Sequence, residues 1–141
     1  MNKNTTLNMD PADLARLKKI KTAARLSMGF IWCWEGLVPK MLLPSQLQFD
    51  MVRRSGCWIG SPEVTLWWLG LAIFLCGILI LSGIQEKLVA LVSVIAVLVL
   101  MALVISTNPS ALTDPFGGLV KDTCLFVNAA LIWFWPDKRS K

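Results

Sequence analysis

Val64 to Gln85 reads VTLWWLGLAIFLCGILILSGIQ, 22 consecutive residues without a formal charge. As a helix it would rise about 33 Å, enough to cross the roughly 30 Å hydrocarbon core of a bilayer. Ser61-Pro62-Glu63 just before it is a helix start, with a hydroxyl cap, a proline at the first helical position and an acid in the first turn. Beyond Glu86-Lys87 lies a second charge-free run of 26 residues, Leu88 to Thr113. Its Val, Leu and Ile would suit a strand in water, but its uninterrupted length favours a membrane helix, to about Thr107. Ser82 to Lys87 is short enough to join the two as an antiparallel hairpin, and Asn108-Pro109 breaks the second.

Downstream, Thr113-Asp114-Pro115 opens a last helix that continues to Trp135, where Pro136 stops it. It carries Lys121 and Asp122 a third of the way in. Starting it instead at Thr123 leaves too few residues to cross, so the longer span is favoured. Upstream, the first span runs roughly from Thr22 to Leu43 and is ended by Pro44. Gly29, Cys33 and Gly36 fall on one stripe and permit close helix approach. Gly70 and Gly77 do the same one heptad apart in the second span. Pro39 frees a carbonyl near Glu35, so a kink or local opening is expected there. Asp10-Pro11 begins a basic stretch in which Leu14, Leu17 and Ile20 alternate with Arg16, Lys18, Lys19 and Lys21. It reads equally as an amphipathic helix on an anionic surface or as a cytosolic lead-in. The polar link Ser45 to Gly60 has room for a short helix, Gln46 to Arg54, over the bundle mouth. The expected fold is all-α, a four-transmembrane-helix bundle over residues 22–136. A short amphipathic N-terminal helix precedes it within residues 1–21, and a basic tail, 137–141, follows.

Composition agrees, with 55% hydrophobic and 16% charged residues and a mean hydropathy of +0.61, too apolar for an ordinary soluble domain. The net charge of +5 collects toward the ends of the chain, which fits positive-inside topology rather than nucleic-acid binding. With the N terminus inside, ten Lys and Arg fall on the inner side and only Lys40, Arg53, Arg54 and Lys121 on the outer half. Both termini are therefore expected in the cytoplasm. Trp58, Trp67 and Trp68 would then mark the outer interface, and Trp133 and Trp135 the inner one. The absence of histidine removes His-ligated haem, His-based metal sites and His general-base catalysis. Cys33, Cys57, Cys76 and Cys124 form no CxxC pair. Cys33, Cys57 and Cys124 fall toward the outer side, where a disulfide is chemically allowed; free cysteine as a small hydrophobe is the commoner case.

The charges inside the first and last spans are the candidate site. Glu35 lies about 12 Å below the outer end of the first span and Asp122 about 10 Å below that of the last. Glu35, Lys40, Lys121 and Asp122 thus share one depth, and the expected pairings are Glu35 with Lys121 and Lys40 with Asp122, or the exchange of partners. Buried charge at such depth costs several kcal/mol unless paired. Three readings stay open: a clamp holding the two spans together, a pocket for a polar head such as a quinone or lipid, or a proton or ion path.

Arg25-Leu26-x-x-Gly29-x-x-Trp32-x-x-Glu35-Gly36-Leu37-Val38-Pro39-Lys40, closing at Leu43-Pro44, resembles the N-terminal signature of the DoxX-like membrane proteins. Ser106-x-x-Pro109 and Asp114-Pro115-Phe116-Gly117 before Lys121-Asp122 are similar to that family's last-loop pattern. The resemblance spans about Arg25 to Trp135. Members often carry an acid in the second span, whereas Gly70-Leu71-Ala72-Ile73-Phe74 has none. The resemblance implies a four-helix protein of the bacterial inner membrane, with relatives linked to sulfur or thiol redox and to quinone-coupled oxidoreductase complexes. The expected function is an accessory or binding component of a membrane redox complex. The alternatives are a quinone-binding oxidoreductase subunit, with Glu35 and Lys40 holding the head, and a small transporter or proton conduit. Site candidates are Glu35, Lys40, Lys121, Asp122, Trp32 and Arg25. No intrinsic cofactor is expected, quinone apart, and the expected partners are membrane lipids, a redox protein and further copies of the chain.

Overall fold

The computed structural model describes residues 10–107, 109 and 118–134. Among the described residues five α-helices follow in order: α1 Pro11–Leu37, α2 Gln46–Ser55, α3 Pro62–Ser82, α4 Glu86–Thr107 and α5 Gly118–Phe134. A π-helical turn, Val38–Leu42, extends α1. The starts at Thr113-Asp114-Pro115, the stop at Pro136 and the tail 137–141 lie outside the described residues.

Local chemistry accounts for most boundaries. The Asp10 carboxylate accepts from Ala12 N at 3.2 Å, with Pro11 at the first helical position. The Ser45 and Ser61 hydroxyls accept from Gln48 N at 3.4 Å and Val64 N at 3.3 Å. Gly83, in the left-handed conformation at φ +72°, closes α3. One expectation is corrected: no separate N-terminal helix precedes the first span. Residues 11–21 continue without a break into α1. Lys21-Thr22-Ala23-Ala24 contains neither proline nor glycine, so nothing in it interrupts the helical hydrogen bonds.

Helix α1 packs on α3 and on α5, and α4 packs on the same two, so α1 and α4 stand diagonally across a four-helix arrangement. The core joins Met28 and Trp32 of α1, Ile73 and Ile80 of α3, Val89 and Val97 of α4, and Leu125, Ala129 and Ile132 of α5. In α3 the buried positions Leu66, Gly70, Ile73, Gly77 and Ile80 alternate in steps of four and three, the seam of closely packed helices. Helix α2 lies across one end, where Arg54 donates to the last carbonyl of α4, Thr107 O, at 3.3 Å.

The glycines set the separation of α1 and α3. A Cβ on Gly36 would stand 2.5 Å from both Gly70 O and Phe74 N, and one on Gly77 2.7 Å from Cys33 N. No substituent larger than hydrogen fits. The stripe Gly29-Cys33-Gly36 thus lies against the face carrying Gly70 and Gly77, backbone on backbone. A Cβ on Gly70 would likewise meet Gly36 O at 2.8 Å.

Helices α3 and α4 are long and apolar enough to cross a membrane, yet only 28% and 22% of their most apolar stretches are buried within the bundle. The remaining surface is hydrocarbon-like, with Leu75, Ile78, Leu79, Ile95, Leu98 and Val99 all exposed. A soluble core helix would hide such residues; these meet an apolar solvent. Gly36→Val is expected to force α1 from α3 and to cost about 1–3 kcal/mol, as overpacking does elsewhere. The measurement is the unfolding midpoint in lipid nanodiscs, with exposed Leu75→Val as a control that stays near wild type.

Candidate functional site

Pro39 builds the site. Lacking an N–H, it leaves the Glu35 carbonyl without its usual partner four residues on. The backbone widens into the π turn, closed by Leu43 N donating to Val38 O at 2.8 Å. Lys40 then bends back, its Nζ donating to Glu35 O at 3.2 Å and lying 3.4 Å from Glu35 Oε2. From α5, Lys121 Nζ lies 2.9 Å from Glu35 Oε1. One carboxylate therefore carries two ammonium groups, one from its own helix and one from α5.

Asp122 joins these three around a cavity of about 40 Å³, whose other walls include Trp32, Ile73, Val97 and Leu125. Lys40 pairs with Glu35 rather than with Asp122, which makes no ion pair among the described residues. The reason is local. The freed carbonyl and the carboxylate of Glu35 lie together within reach of Lys40, at no cost in bringing helices together. Trp32 is 4% exposed, lines the cavity, and its indole Nε1 is buried with no hydrogen-bond partner. An unmatched buried donor is costly, and a cavity of this size with charged groups in its wall has room for one water or the tip of a polar group.

Arg25 is not in this site. It lies ten residues below Glu35 in α1, about 15 Å along the helix. There its Nη1 contacts Glu86 Oε1 at 2.8 Å, while Lys21 Nζ contacts Glu86 Oε2 at 2.9 Å. This second ionic cluster ties the start of α4 to α1. Levelling residues by depth, as for Glu35 and Lys121, also puts Arg25 beside the hairpin that holds Glu86. Between the clusters, Asn128 Nδ2 donates to Ser27 Oγ at 3.3 Å, linking α5 to α1. Ser93 is buried with its hydroxyl unpartnered. Its only advance signal is that it stands alone as a polar residue in a Val-Leu-Ile run. All four cysteines are free thiols. Cys33 packs on α3, with Sγ 3.9 Å from Phe74 O.

The fold and the cavity together define, over the described residues, a small all-helical bundle with two helices long and apolar enough to cross a membrane and an ionic pocket between α1 and α5. The chain belongs to the DoxX-like family, whose model matches residues 29–133. That range takes in Trp32, Glu35, Lys40, Lys121 and Asp122 and leaves Arg25 outside. Membership points to a membrane protein, as do α3 and α4. No curated protein and no solved structure matches the chain.

The side chains of Glu35 and Lys121 are 26% and 34% exposed, between a surface pair and a buried one. In a double-mutant cycle of Glu35→Gln and Lys121→Gln, the two changes together are expected to cost less than their sum by about 1 kcal/mol. Additive losses of stability would show that the two groups are not coupled.

Proposed function

We propose that the chain is a four-span protein of the bacterial inner membrane, with α1, α3, α4 and α5 crossing and both termini in the cytoplasm. In this reading it serves as an accessory or binding component of a membrane redox complex, and the cavity at Glu35 receives the polar head of a ligand. Family membership, the apolar outer faces of α3 and α4 and the Lys and Arg distribution support the placement. The observation that carries the binding role is the unmatched indole N–H of Trp32 at the ionic cavity.

Its chemistry narrows the ligand. Glu35, Asp122, Lys40 and Lys121 sum to no net charge, so the pocket offers little attraction to a free ion. Trp32 can only donate, which calls for an acceptor such as a carbonyl oxygen. A quinone head has that chemistry, and the small volume suits one oxygen entering between α1 and α5 while the ring stays outside. Glu35 and Lys40 would orient it. Four spans enclose little pore, which disfavours the conduit reading for a lone copy.

A short-chain quinone titrated into the reconstituted protein is expected to bind, and Trp32→Phe to weaken it about 3- to 10-fold, the worth of one hydrogen bond. Unchanged affinity in Trp32→Phe would remove the cavity from the reading. For topology, a membrane-impermeant maleimide added to spheroplasts is expected to label exposed Cys57 and to spare a cysteine introduced by Ser140→Cys. Labelling of both, or of the second alone, would overturn the placement.

A further inference from the structure

At the other end of the bundle, α4 and α5 part to leave an apolar groove of about 260 Å³. Its walls are Ala90, Leu91 and Val94 on α4 and Ala129, Ala130 and Trp133 on α5, with no polar surface. Ala90, Ala129 and Ala130 leave room between bulkier wall residues that include Phe126 and Phe134, and the groove is open along the bundle surface. Lys87 continues the α4 wall: positions 87, 90, 91 and 94 form one helical stripe, which puts an ammonium one turn beyond the groove's end. Beside it stands the cluster of Lys21, Arg25 and Glu86, in which one carboxylate meets two cations.

We propose that the groove between α4 and α5 holds an acyl chain of an anionic phospholipid, with the phosphate held at Lys87. The groove's wholly apolar surface and the lysine one turn beyond its end match the two halves of that molecule. A second copy of the chain would bring an apolar helix face and leave the cationic end unanswered. In the proposed orientation this end faces the cytoplasm, where anionic headgroups attract basic residues. The site is separate from the Glu35 cavity and needs only that the chain lie in a bilayer.

The test uses the full chain in phosphatidylcholine vesicles doped with either dibrominated phosphatidylglycerol or dibrominated phosphatidylcholine. Bromine quenches tryptophan on contact, and the difference between wild type and Trp133→Phe isolates the signal of Trp133. Trp133 is expected to be half-quenched at a several-fold lower fraction of the brominated anionic lipid than of the zwitterionic one. Lys87→Gln should remove the preference, Lys87→Arg should keep it, and Ala130→Leu should shield Trp133 from both lipids. Equal quenching by the two lipids, or a preference that survives Lys87→Gln, would overturn the proposal. So would a Trp133 that neither lipid quenches in a cross-linkable dimer, which would place a second copy in the groove.

Discussion

The contact on which the other features rest is the meeting of two glycine-bearing helix faces. With hydrogen alone at Gly36, Gly70 and Gly77, the backbones of α1 and α3 come close enough that any Cβ would collide. In lipid there is little hydrophobic gain from pressing helices together, so such dense backbone packing is a principal source of cohesion. It also holds the π turn in place. A Cβ on Gly70 would lie 2.9 Å from Cβ of Lys40, which shows how tightly that turn is seated on α3. Fixed there, Lys40 has its ammonium directed to the carboxylate and carbonyl of Glu35.

The two ionic clusters then divide the work of closing the bundle. Glu35 binds α5 to α1 through Lys121, and Glu86 binds α4 to α1 through Arg25 and Lys21. A charge in hydrocarbon is expensive, about 2.5–3.5 kcal/mol at a helix centre, so each carboxylate is a strong constraint on which helices lie beside α1. The arrangement differs at the two levels. Near Glu86 one carboxylate meets two cations, whereas two acids and two bases line the cavity.

Much of this was legible in the residues. The charge-free runs, the Ser-Pro-Glu start before α3, the short link between α3 and α4 and the helix across the end at Gln46–Ser55 all follow from local chemistry. So does the opening at Pro39, since the missing N–H acts within one turn. Counting depth along the first and last helices brought Glu35 and Lys121 to one level, where they lie 2.9 Å apart. The continuity of residues 11–21 with α1 was misjudged because the change from basic to apolar composition looked like a boundary. Composition changes there; the helical hydrogen bonding does not.

By itself the sequence determined which stretches are helical, their order and which charged residues need a partner. Those properties depend on neighbours a few positions away and on the thickness of a bilayer. Tertiary structure decided which partner each charge takes: Glu35 gathers both lysines, Asp122 is left facing the cavity, and Arg25 serves Glu86 instead. Charge pairing at one depth has several solutions of nearly equal energy on paper. The rotation of each helix chooses among them, and that rotation is set by which faces can pack without a side chain between them.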